Sequence, residues 1–100
     1  MLYALYGEDA PNTLEKRLAA RPEHLARLQS LYDEGRLILA GPLPAIDAVD
    51  PGPAGFAGSL IVAEFSSQGD AEAWLTADPY TAAGIFKSYW VRPFKQVFPT

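Results

Sequence analysis

The spacing of apolar residues alternates between the two-residue repeat of a strand and the helical repeat of about 3.6 residues, in the order strand, helix, strand, strand, helix, strand. Leu2, Tyr3, Ala4, Leu5 and Tyr6 precede Gly7 as a short first strand. Thr13 can cap a helical stretch in which Leu14 and Leu18 lie one turn apart. Pro22 is suited to open the main helix, because the first helical N–H has no partner to lose. Leu25, Leu28, Leu31 and Tyr32 then keep helical spacing up to Gly35, a natural stop. Residues 36–42 and 59–65 read as two further strands. A second helix is predicted over 69–77, with Asp70 as its cap and Ala71, Trp74 and Leu75 facing the core. Asp78-Pro79 ends that helix and caps a short turn running to Gly84. The last strand is predicted over 85–97, and Pro93 restricts it to an edge or a bulge. Between the second and third strands, residues 43–58 carry Pro44, Pro51, Pro53, Gly52, Gly55 and Gly58 with Asp47 and Asp50. That stretch reads as a long loop, either functional or a tolerated surface insertion.

Two helices and four strands in βαββαβ order describe an α+β fold, a ferredoxin-like sandwich with both helices on one face of an antiparallel four-stranded sheet. One hundred residues make a single domain, 1–100, with one modest core. The other sheet face stays bare, with Tyr3, Ser59, Phe86 or Tyr89, and Trp90 as its candidates. This is more apolar surface than a monomer exposes, so a homodimer covering that face is expected.

Composition removes several function classes. With 49% hydrophobic and 20% charged residues the chain is globular. It has no cysteine, which excludes disulfides, thiolate catalysis and cysteine-ligated metals, and a single histidine cannot build a histidine-rich metal site. A net charge of −4 argues against nucleic-acid binding, which wants a basic face. Residues 1–6 lack a basic segment and are too short for a signal peptide, and no apolar run approaches a bilayer span. The expectation is a cytoplasmic protein with no membrane partner. Asp9, Asp47 and Asp50 lack calcium-loop spacing, no glycine-rich loop opens a helix to hold phosphate, and no cofactor is implied.

The lone histidine, His24, carries the sharpest chemical signal. Behind Pro22 it would sit in the first helical turn, where the dipole favours a neutral, base-competent ring. At 100° per residue it lies about 40° from Leu28 and 20° from Leu31, at the edge of the apolar face. Asp78 supplies a carboxylate at an enforced turn, able to fix the imidazole tautomer and leave the other nitrogen as a base. Each residue also has a plainer role, His24 as a polar residue at a helix edge and Asp78 as a helix cap. Gly41 permits close backbone approach beside Pro42. Ser59 can donate to a substrate oxygen or simply fill a strand, and Arg21 can hold an anionic substrate or pair with Glu23. Tyr3, Tyr6 and Tyr80 can line an aromatic pocket, though core packing accounts for Tyr3 and Tyr6 as well.

Arg21-x-x-His24-Leu25, Gly41-Pro42, Gly58-Ser59, Asp78-Pro79-Tyr80, Gly84 and Pro93-Phe94, in this order over nearly the whole chain, resemble the YCII-related (YciI-like) proteins. The resemblance implies a ferredoxin-like subunit of the dimeric α/β-barrel superfamily, alongside muconolactone isomerases and cofactor-independent quinol oxygenases. It also implies an enzyme whose active site holds a histidine and an aspartate, here His24 and Asp78. A related branch removes chloride from chlorinated hydroxyquinols, a specificity that does not transfer with these motifs. The expected function is acid–base catalysis on a small cyclic or aromatic molecule, with Arg21, Gly41, Pro42, Ser59 and Tyr80 contacting the substrate. A non-catalytic ligand-binding or accessory module is the alternative. A structural dimer that docks on another protein through 43–58 is a weaker third reading.

Overall fold

The computed structural model describes residues 1–100. Strands β1 (Leu2–Asp9), β2 (Leu37–Pro44), β3 (Phe56–Glu64) and β4 (Phe86–Phe94) form one antiparallel sheet in the order β2-β3-β1-β4. Helices α1 (Leu14–Asp33), α2 (Gln68–Thr76) and the short α3 (Pro79–Ala82) complete the ferredoxin-like sandwich expected from the element order. The prolines obey the sheet rule: Pro42 and Pro44 sit on β2 and Pro93 on β4, the two edges, where a missing N–H interrupts no inner ladder.

Pro22 does not open a helix. It lies inside one continuous 20-residue α1, exposed to solvent, where the carbonyl it strands can be hydrated. His24 is therefore mid-helix, and the expected effect of the helix dipole on its ring does not apply. The buried positions of α1 are Arg17, His24, Leu28 and Leu31, while Leu18, Leu25 and Tyr32 are exposed. Thr13 precedes the helix, but its hydroxyl donates to the Ala10 carbonyl at 2.9 Å instead of capping. The cap of α2 is Ser67, whose oxygen accepts from the Asp70 N–H, so Asp70 is the capped residue and not the cap. The loop between β2 and β3 is shorter than 43–58, because Leu43 and Pro44 extend β2 and Phe56 to Gly58 begin β3.

The two sheet faces also differ from those expected. Tyr3, Ser59 and Phe86 point to the helix side, where they are buried with Leu5, Ile61, Ala63 and Val91. The bare face carries Tyr6 stacked on Trp90 at 5.1 Å, with Leu60, Val62, Leu39 and Phe94. Trp90 is 45% exposed and Leu39 49%.

Beneath α1, β1 and β3 approach closely at Gly7 and Gly58. A Cβ on Gly58 would collide with the Gly7 carbonyl, and one on Gly7 would lie 2.6 Å from the Phe86 ring. Phe86 in turn packs edge-on against Tyr80, with centroids 6.0 Å apart. Gly58→Ala must push backbone against backbone, so a loss of about 3 kcal/mol is expected, at the upper end of overpacking costs. Urea unfolding should show a lower midpoint at unchanged slope.

Candidate active site

The candidate side chains gather on the helix side of the sheet. Successive positions Arg17, Arg21, His24 and Leu28 follow the four- and three-residue steps that keep one helical face. That face closes over β2 and β3 around a cavity of about 490 Å³. Arg17, Arg21 and His24 meet Gly41, Pro42 and Ser59 across the space, and Tyr80 reaches in from α3. Asp50, Pro51 and Gly52 of the shortened loop form part of the rim.

Asp78 lies behind this wall, fully buried, and caps α3 by accepting from the Tyr80 N–H at 3.0 Å. The same oxygen, Oδ2, is 2.9 Å from His24 Nδ1, and Oδ1 accepts from Arg27 Nη1 at 2.9 Å. Two of its neighbours can only donate, so the carboxylate is an acceptor, and His24 in turn donates from Nδ1. The imidazole nitrogen left without a protein partner is Nε2. The Tyr80 ring stacks on His24, with centroids 4.0 Å apart and planes 12° from parallel, which fixes the imidazole plane. Capping and contact with His24 thus coexist in Asp78. Arg27, which no motif in the sequence marks, also lies 4.1 Å from the Trp74 ring centroid and ties α2 to α1.

Arg17 belongs to no motif either, although its seven-residue spacing from His24 marks the same face. It forms a buried ion pair with Asp9, donating from Nε at 2.6 Å and Nη2 at 3.0 Å. Its Nη2 also donates to the Gly58 carbonyl at 2.9 Å and to Ser59 Oγ at 2.8 Å. Ser59 is therefore a buried hydrogen-bonded wall residue, and not simply strand filler. Arg21 makes no ion pair with Glu23. Tyr3 belongs to the core and Tyr6 to the opposite sheet face, leaving Tyr80 as the tyrosine of the cavity. No three His, Cys, Asp or Glu side chains are grouped to hold a metal ion, and no helix is long and apolar enough to cross a membrane.

The YCII-related domain matches residues 1–95. The chain belongs to this family. Protein YciI of Escherichia coli O6:H1 is 59% identical over 98 residues, covering 98% of this chain and all of that one. A Haemophilus influenzae protein is 51% identical over the same length. Among solved structures, the 5-chloro-2-hydroxyhydroquinone dehydrochlorinase of Burkholderia phenoliruptrix AC1100, in complex with 2,5-dihydroxybenzoquinone, superposes with a TM-score of 0.81. It is 30% identical, and the match covers 95% of this YCII-related chain and 94% of the dehydrochlorinase.

Burial raises the Tyr80 phenol above its ordinary value near 10, and Asp78 adds to this, while the Arg17 and Arg21 charges oppose it. A raised folded-state value means that Tyr80 contributes stability that is intact below pH 10. That contribution is lost as pH rises through the folded value, because the unfolded phenol ionises first. Tyr80→Phe should remove this part of the alkaline decline. The check is the difference between wild-type and variant denaturation midpoints, followed upward from neutral pH; parallel curves would mean that the phenol does not report the burial.

Proposed function

We propose that this YCII-related protein is a small acid–base enzyme that needs no cofactor and acts on a small cyclic or aromatic organic molecule. The observation that carries the reading is the His24–Asp78 contact at 2.9 Å, with the imidazole on the wall of an open cavity and the carboxylate sealed behind it. Asp78 holds the hydrogen on Nδ1 and stabilises the imidazolium formed when Nε2 takes a proton. Arg27 and the Tyr80 N–H hold Asp78 in turn, so the orienting group cannot rotate away. A conjugated ring bearing oxygen functions accommodates the released electron pair itself, and proton transfer then suffices. The cavity is of a size for one such ring. The dehydrochlorinase relative, whose complex holds a dihydroxyquinone, supports this substrate class.

The bare sheet face supports a second element of the reading, a homodimer packed sheet to sheet. Tyr6, Leu39, Trp90 and Phe94 form an apolar surface that the helices leave uncovered. Sedimentation at micromolar concentration should give a dimer, and Trp90→Glu, placing a charge on that face, should give a folded monomer. A wild-type monomer would overturn the assembly.

Catalysis is tested with 2,5-dihydroxybenzoquinone as the probe. Quenching of intrinsic fluorescence measures its binding, and proton NMR in D2O measures exchange of its ring hydrogens. The wild type should bind the probe and accelerate exchange, and His24→Ala should slow exchange at least about 100-fold, the usual scale for removing a general base. Binding without accelerated exchange would identify a ligand-binding module instead of an enzyme.

A further inference from the structure

Arg17 has no part in the acid–base step, yet its guanidinium is held on the cavity wall by four hydrogen bonds. All four are made from Nε and Nη2, whose three hydrogens serve the four acceptors with one shared, and Nη1 takes part in none of them. No buried polar side-chain atom lacks a partner, so Nη1 is not sealed off, and the open space that Arg17 lines is the cavity. Ser59 is arranged in a complementary way. Its oxygen accepts from Arg17 Nη2 at 2.8 Å, which leaves its own hydrogen free beside the same cavity. The Asp9 side chain, only 3% exposed, anchors the guanidinium, and the Gly58 carbonyl accepts a further bond from it.

The placement relative to His24 adds direction. Seven residues separate the two on α1, a rise of about 10 Å along one face. The Tyr80 ring lies between them, stacked on His24 and 4.8 Å from the Arg17 Cζ. The cavity thus has a base at one end and a pair of hydrogen-bond donors at the other. Burying an ion pair is costly compared with an apolar pair of similar volume, and a structural pair has no need of an open donor.

We propose that Arg17 and Ser59 form the oxyanion-binding end of the cavity, stabilising negative charge on a substrate oxygen while His24 removes a proton. This rests on the reading of His24 as the base. Nε2 takes a proton from an O–H or C–H at one end of a conjugated ring. The bonding pair passes through the ring to a carbonyl oxygen at the other end, which becomes the oxyanion and accepts from Arg17 Nη1 and the Ser59 hydroxyl. Return of the proton from His24 to a ring carbon restores the neutral site, with no oxidation or reduction. Donors fixed before the charge develops need no reorganisation, and this makes such an arrangement effective in a site shielded from water. Arg21 is a second cation on the wall, and Asp50 is the carboxylate at the rim, held by the Gly52 N–H of its own loop.

The experiment uses 4-nitrophenol, whose anion has its own visible absorption band, in buffer well below the pKa of the free probe. Bound to the wild type it should show the phenolate band. In Ser59→Ala, which leaves the Arg17–Asp9 pair intact, the preference for phenolate over phenol should fall about tenfold, the scale of one hydrogen bond to a charged group. The paired change Asp9→Asn with Arg17→Gln keeps a neutral hydrogen-bonded pair and should lower the preference further, with circular dichroism reporting the fold. Should the paired variant fail to fold, Ser59→Ala still decides. Binding of the neutral phenol to the wild type would overturn the proposal and leave the His24 reading intact. The proposal also fails if the phenolate preference survives Ser59→Ala, and its loss in Arg21→Gln alone would assign the anion to that cation instead. No binding of either form would overturn it as well, while deuterium exchange into the quinone would separately report on His24.

Discussion

A carboxylate with no exposed surface organises the half of this molecule that holds the cavity. Asp78 accepts from the Tyr80 backbone, from Arg27 and from His24, so one side chain starts α3, fixes a residue of α1 in position and orients the imidazole. Two buried or half-buried cationic or polar side chains without it would each need another acceptor. The dependence runs the other way as well. Without the donors the carboxylate would be an unpaired charge in the interior, a far larger penalty than that of a missing surface contact.

A second buried ion pair, Arg17 with Asp9, does for the sheet end of the cavity what Asp78 does for the helix end. Between the two, Tyr80 is stacked on His24 and lies against Arg17, so neither pole can shift without moving the other's neighbour. Gly7 and Gly58 allow the strands and the Phe86 ring to come close enough to support Tyr80 from below. The geometry of the site is therefore inherited from backbone approach in the sheet as much as from the helix that carries most of its side chains.

The element order was readable because each segment keeps one periodicity, and Asp78-Pro79 announces its cap through residue type alone. The sheet faces were not readable from β1. Leu2, Ala4 and Tyr6 on one face are nearly as apolar as Tyr3 and Leu5 on the other, so alternation gives the parity of the strand without saying which side is covered. Pro22 misleads for a different reason: on the solvent side of α1 water can bond the carbonyl it strands, and the helix runs on through a residue that usually marks a boundary. Arg17 and Arg27 look like ordinary surface cations in sequence. Only their acceptors, Asp9 eight residues away and Asp78 on another element, bring them into the site.

The prolines at both margins of the sheet have a consequence for how copies of the chain can associate. A sheet with one oily face and two open margins invites endless lateral growth, strand added to strand across molecules. Pro42 and Pro44 on one border and Pro93 on the other withhold N–H groups that such growth would use. Contact through the face remains available while contact through the borders is discouraged, which favours a closed, finite assembly over a fibre.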